Sequence, residues 1–164
     1  MIIFFQNFTR VIQYYIIITN YMATKADELA IKFRNKRMEI GVEIQSGIEL
    51  MGNFKTIKDA QVAMLSMRQR LLEESHTMLE HITSIRRKLK NEKGSHMETL
   101  STDLQHRYQY NEKAMIIEGK TAVTKEMLEI IENQLSYFND SIRTVDNILY
   151  GVKTRVEIEK VLGI

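Results

Sequence analysis

An apolar repeat over residues 128–156 constrains the fold of this chain more than any other feature of its sequence. Its hydrophobic residues follow one another at alternating steps of three and four: Leu128, Ile131, Leu135, Phe138, Ile142, Val145, Leu149, Val152 and Val156. This spacing places them on one side of an α-helix. Because such a row is unfavourable in water, the pattern predicts a helix that packs against other helices. We call this set the helix-association seam.

The residue types in the seam indicate how many helices meet. With Leu128 taken as heptad position a, leucine predominates at a and β-branched residues predominate at d. This combination favours three or four strands over a parallel dimer. Ile130 and Ile148 flank the seam and widen it, as is typical of bundle helices. Two interpretations stay open: a helix of an ordinary bundle, or a helix that joins helices of other chains.

The composition favours long helices and a reducing compartment. Proline and cysteine are absent from all 164 residues. Absence of the strongest helix breaker favours uninterrupted helices, and absence of disulfides fits an intracellular, cytoplasmic setting. The formal net charge of +2 argues against a dedicated nucleic-acid-binding protein. We therefore expect an all-α fold, an elongated antiparallel helical bundle or coiled coil built from helical hairpins.

The first 21 residues differ from the rest of the chain. They are rich in Ile, Phe and Tyr, and Arg10 is their one charged residue. Three interpretations are open: a membrane-associated segment, an additional apolar helix that packs on the bundle, or a non-native or disordered extension preceding a start at Met22. As a membrane span the segment is marginal, because Gln6, Asn7 and Arg10 lie within it.

Residues 22–93 are expected to form a helical hairpin. The pattern predicts one helix over about 24–51, with Thr24 as its N-cap, and a second over about 56–92, with Thr56 as its N-cap. Gly52-Asn53 is a typical helix end and turn between them. Two long helices joined by a short turn pack antiparallel.

A break is expected at residues 94–97, which read Gly-Ser-His-Met. This tetrapeptide is identical to a common expression-vector scar, which suggests a junction between two fused segments; a natural linker is the alternative. Residues 98–164 then form a second helical segment, with helices over about 99–118 and 121–162 separated near Gly119. A continuous helix is the competing interpretation, because one glycine does not exclude it.

The sequence contains no recognisable catalytic, cofactor-binding or metal-binding motif. His76 and His81 are five residues apart, which does not place them on one helical face as a metal pair requires. Glycine-rich phosphate loops and nucleophile elbows do not occur, and Glu-x-x-His occurs once, at Glu73 and His76, whereas a di-iron bundle requires it on two helices. We therefore expect a protein that is not an enzyme and has neither a cofactor nor a metal site.

Two groups of basic residues are candidates for contact with an anionic membrane or an acidic protein surface. We expect the hairpin to bring both to one end of the bundle, with the second group at a helix end, where it complements the helix dipole. The first group is Lys32, Arg34, Lys36 and Arg37, and the second is Arg86, Arg87, Lys88, Lys90 and Lys93.

These observations predict a coiled-coil interaction subunit that assembles with other helical chains, identical or different, in a multi-subunit scaffold or tethering complex. A membrane-fusion module of the SNARE type or another membrane-associated helical module is an alternative, because a long heptad helix suits four strands. The polar residue expected within such a seam is missing, since Gln134 lies off the a/d register. A nucleic-acid-binding module using the basic residues is a further alternative, which the near-neutral charge disfavours.

Overall fold

In a computed structural model, three long helices pack against one another. Helix α1 is Ile2–Met51, α2 is Ile57–Thr102 and α3 is Tyr110–Leu162, and a short 3-10 turn, Phe54–Thr56, precedes α2. The structure describes the backbone of residues 2–52, 54–103 and 107–162, and the side chains of residues 25–52, 55–103 and 107–162. The expected all-α helical bundle is confirmed.

Helix α1 begins earlier than the sequence predicts. It runs without interruption from Ile2, so Thr24 lies inside the helix and its assignment as N-cap is wrong. Extending an existing helix adds a hydrogen bond for each residue that is fixed, whereas starting another one requires a costly nucleus. No helix that the structure describes is long and apolar enough to cross a membrane. The membrane interpretation of residues 1–21 depends on side chains outside the described residues.

The predicted end of α1 at Met51 is confirmed. The last carbonyl groups of an α-helix lack partners in its regular hydrogen-bond pattern. At the end of α1, three such carbonyl groups accept other hydrogen bonds. The Gly52 amide donates to the Glu49 carbonyl at 3.0 Å, and Thr56 Oγ1 donates to the Leu50 carbonyl at 2.6 Å. Arg155 Nη1 of α3 donates to the Met51 carbonyl at 2.5 Å. The end of α1 is therefore held by the turn that follows it and by Arg155 of α3.

Helix α2 does not end at Glu92, and the expected break at residues 94–97 is wrong. The helix continues through Gly94 to Thr102, so the residues predicted to start a new helix at 99 form its last turn. One glycine costs a helix only about 1 kcal/mol relative to alanine. Burial of Leu100, which is 8% exposed, favours continuation of the helix. Whether 94–97 is a fusion junction stays a prediction.

The connection between α2 and α3 lies about ten residues later than the predicted break, and Gly119 lies inside α3. One half of a capping box starts α3, because the Gln109 amide donates to Glu112 Oε2 at 2.8 Å. The Gln109 carbonyl accepts from the Lys113 amide at 3.0 Å, as an N-cap carbonyl does. The predicted helices over 99–118 and 121–162 are therefore wrong in their bounds, because residues 99–102 end α2 and the single helix α3 covers residues 110–162.

Replacing Gly94 with alanine is expected to raise the free energy of unfolding by about 0.5–1 kcal/mol. The position is helical, and a Cβ added there would have no heavy atom within 4 Å. Urea denaturation measures the change. Gly52→Ala is the control, because the Cβ there would lie 3.2 Å from the Glu49 carbonyl oxygen and no gain is expected. A loss of stability in Gly94→Ala would contradict a continuous α2.

The chain forms two compact units, each built from parts of all three helices. Unit 1 comprises Met1–Lys32 and Thr83–Ile130, and unit 2 comprises Phe33–Ile82 and Ile131–Ile164. In unit 1, Thr124 Oγ1 of α3 donates to Glu92 Oε2 of α2 at 2.8 Å. The buried side chains of unit 1 include those of Ala26, Leu100, Ile117, Thr121 and Thr124.

Unit 2 contains the principal hydrophobic core. Contacts across its helices fix their directions: Lys36 pairs with Glu74 and Glu43 pairs with Arg70, so α1 and α2 are antiparallel. Met51 and Arg155 meet at one end, and residues 37 and 134 meet further toward the two N-termini, so α1 and α3 are parallel. The core consists of Ile40, Met64, Met67, Leu71, Phe138, Val145 and Ile148.

Candidate helix-association surface

From Ile131 onward the helix-association seam belongs to unit 2, where it lies partly in the core and partly at the edge, and Leu128 belongs to unit 1. Its d residues are buried: Ile131, Phe138, Val145 and Val152. Its a residues are half-buried: Leu128, Leu135, Ile142, Leu149 and Val156. Of the two residues predicted to widen the seam, Ile148 is buried and Ile130 is half-buried. The most buried face of α3 therefore does not include the a row. It includes the d row and the residues that flank the d row on the side away from a.

That rotation buries two polar residues that the apolar pattern did not include. Gln134 and Ser141 are three residues beyond Ile131 and Phe138, and they are 0% and 5% exposed. Gln134 lies off the a/d register, as the sequence indicates, and it is nevertheless buried, because the packed face of α3 includes the residues beside the d row. In the sequence, the signal for this buried row was the seven-residue spacing of Gln134, Ser141 and Ile148. A count restricted to apolar residues misses it.

Gln134 belongs to a polar cluster between α1 and α3. Arg37 Nε donates to Gln134 Oε1 at 2.8 Å, and the Tyr137 hydroxyl donates to the Arg37 carbonyl at 2.9 Å. The Arg37 guanidinium carbon also lies 5.4 Å from the Tyr137 ring centroid, within the range of a cation–π contact. Gln134 Nε2 is buried without a hydrogen-bond partner. We call Arg37, Gln134 and Tyr137 the polar layer.

The a row of α3 faces a second apolar row on α2. Arg68 Nε of α2 contacts Asp146 Oδ1 of α3 at 2.6 Å. Leu65 and Leu72 flank Arg68 at helical spacing, and Ile142 and Leu149 flank Asp146 in the same way. In antiparallel helices this register places three leucines of α2 opposite three a residues of α3, in the pairs Leu65 with Leu149, Leu72 with Ile142 and Leu79 with Leu135.

These six residues form an incompletely buried surface, which we call the α2–α3 surface. Leu65 is 50% exposed and Leu79 is 47% exposed, while Leu72 and the three α3 residues are half-buried. Ile142 and Leu149 also pack against the core, so the surface is continuous with it. Contiguous apolar side chains that remain accessible are typical of interaction sites.

The two predicted basic groups differ in the residues that they contact. In the first group, Lys36 Nζ pairs with Glu74 at 2.9 Å and Arg37 belongs to the polar layer, whereas Lys32 and Arg34 are exposed. The second group lies well before the end of α2 at Thr102, so it does not complement the helix dipole there, and that expectation is wrong.

The second group lies among acidic residues of unit 1. Lys88 Nζ is 3.7 Å from Glu92 Oε1, while Arg87 and Lys90 are exposed. The pKa of Glu118 is lowered because Lys125 Nζ donates to its carboxylate at 2.6 Å, and the charge of Lys93 adds to this effect. The pair is exposed, so solvent screens it and its contribution to stability is small. That contribution is present above the usual carboxyl pKa and is lost as pH falls through the lowered value.

The histidines that the structure describes do not belong to a group of residues that could bind a metal ion. His76 and His81 are exposed on α2, and His96 is half-buried. His106 lies outside the described residues. Among the side chains that the structure describes, no three of His, Asp and Glu are grouped so that they could hold a metal ion.

Comparison of the sequence with protein-family models finds no match, and comparisons with curated proteins and with solved structures find none either.

Proposed function

We propose that this chain is a non-enzymatic helical subunit that assembles with further helices in a multi-subunit scaffold or tethering complex. The α2–α3 surface carries the proposal. It offers leucine and isoleucine side chains along two neighbouring helices, and Leu65 is half exposed. A further helix laid along this surface would bury these side chains, which is the main favourable contribution to helix association.

The occupant of the α2–α3 surface is a second copy of this chain. The three facing pairs read Leu with Leu, Leu with Ile and Leu with Leu, so the surface has nearly the same chemistry in both directions along the helices. An interface between identical copies requires such self-complementarity, because each copy presents the same patch. The formal net charge of +2 is small enough that repulsion between copies is weak.

The seam composition supports the same conclusion. Leucine at a and β-branched residues at d favour three or four strands, and unit 2 supplies three. Helices of a second copy supply the additional contacts that the half-buried a residues lack. The d residues hold the subunit together, and the a residues with their α2 neighbours connect it to its partner.

Replacing Leu65 and Leu79 together with glutamate is expected to abolish self-association, because two charges would be buried in an apolar interface. Light scattering coupled to size-exclusion chromatography measures the mass, and circular dichroism measures the helix content. The wild-type chain is expected to move from monomer to dimer between about 1 and about 100 µM, whereas the variant stays monomeric with unchanged helix content.

Met38→Glu with Val42→Glu is the matched control. These residues are 58% and 70% exposed on α1, so this variant also adds two charges at exposed apolar positions. It is expected to dimerise like the wild type. If the Leu65/Leu79 variant dimerises as well as this control, the α2–α3 surface is not the interface.

A further inference from the structure

We propose that the polar layer of Arg37, Gln134 and Tyr137 determines the register in which α1 and α3 associate. An apolar seam by itself specifies register weakly, because a shift of seven residues replaces one apolar side chain with another. A buried polar contact is satisfied only at one position along the helices. The inference goes beyond the proposed function, since it concerns the alignment of α1 with α3 within one chain and not the α2–α3 surface.

The geometry of Gln134 shows that the contact is specific. The side chain is fully buried, and its Oε1 accepts the Arg37 Nε–H at 2.8 Å. Reversal of the amide would place its NH₂ group against Nε–H, where two donors would face each other. The orientation of the amide is therefore fixed by Arg37, and Nε2 is the atom without a partner.

A leucine at position 134 would have no such unpaired group, so stability alone does not explain a glutamine there. Buried polar groups that lower stability are known to fix register and oligomeric state in helical bundles. The remaining contacts of the layer reinforce one alignment, because the Tyr137 hydroxyl donates to the Arg37 carbonyl and the ring lies beside the same guanidinium. A shift of α3 by one heptad would lose all three contacts together.

Ser141 is a buried polar residue on the same face of α3, but its hydrogen bond does not depend on the register of α1 and α3. It lies seven residues after Gln134 and is 5% exposed, yet its hydroxyl donates to the Tyr137 carbonyl of its own helix at 2.8 Å. This hydrogen bond moves with α3 and is preserved in every register. Ser141→Ala is therefore the matched control for a substitution at Gln134.

Disulfide trapping tests the proposal directly, because the chain contains no cysteine of its own. Cysteines at Met51 and Gly151 report the native register, since Met51 Cε lies 3.5 Å from the Cβ position of Gly151. Cysteine at Met51 paired with cysteine at Thr144 or at Ile158 reports registers shifted by one heptad. Each pair is introduced into the full chain and oxidised mildly, and intrachain products are separated from interchain products by mass.

In the parent background the 51–151 pair is expected to dominate. In Gln134→Leu, the shifted 51–144 or 51–158 products are expected to increase severalfold. Arg37→Leu removes the donor of the same hydrogen bond and is expected to give the same increase. Ser141→Ala should retain the parental pattern. If both Gln134→Leu and Arg37→Leu retain it as well, the polar layer does not set the register. Because intrachain products are read in the monomer, this result is independent of whether a second copy docks on the α2–α3 surface.

Discussion

Replacing Phe138 with alanine is expected to lower the free energy of unfolding by about 3–5 kcal/mol. Phe138 is 2% exposed at the centre of the unit 2 core, where residues of all three helices surround it. The substitution removes buried apolar surface and leaves a cavity that the packed neighbours fill only partly. Urea denaturation followed by circular dichroism measures the loss.

Ile158→Ala provides the comparison on the same helix. Ile158 is 53% exposed, so its truncation creates no closed cavity and is expected to change stability by no more than about 0.5 kcal/mol. Similar losses in the two variants would show that the d row of α3 is not the centre of the core.

Replacing Gly47 with leucine is expected to lower stability by about 1–3 kcal/mol, which is the usual cost of overfilling a packed core. A Cβ added at Gly47 would lie 2.7 Å from Met64 Sδ, and Met64 is itself 2% exposed. The glycine therefore leaves room for the buried Met64 side chain of α2 against α1. Thermal and urea denaturation both measure the change.

Gly41 is the matched control for this substitution. It lies in the same helix, but a Cβ there would have no heavy atom within 4 Å. Gly41→Leu is expected to raise stability by up to about 1 kcal/mol, because leucine has a much higher helix propensity than glycine. A stabilising effect of Gly47→Leu would contradict the packing of the Met64 side chain against Gly47.

The periodic spacing of apolar residues predicted the fold class and the core row of α3. Ile131, Phe138, Val145 and Val152 follow a regular seven-residue repeat, and burial of such a row is the dominant contribution to folding. The end of α1 was predictable for the same reason, since Gly52 directly follows the last apolar residue of the pattern.

The helix ends beyond that point depend on weaker signals. Gly94 suggested a break, but a glycine costs less than the packing that a continuous α2 gains through Leu100. The actual start of α3 carries a capping interaction between Gln109 and Glu112. Glutamine is not a preferred N-cap residue, so the sequence there does not read as a helix start.

The polar layer and the α2–α3 surface could not be predicted because they depend on which helices are neighbours. Gln134 is buried because α1 lies against its face of α3 and supplies Arg37 as a donor. The α2–α3 surface is likewise defined by the alignment of Arg68 with Asp146. A heptad pattern gives the apolar face of each helix but not the rotation of that face toward two different neighbours.

The most direct test of the proposed function is the sedimentation-equilibrium mass of the full wild-type chain over a range of concentrations. If a second copy occupies the α2–α3 surface, the mass rises from that of the 19.3 kDa monomer to twice that value as concentration increases, and Leu65→Glu with Leu79→Glu removes the rise. A wild-type chain that stays at 19.3 kDa up to about 100 µM would contradict self-assembly through this surface.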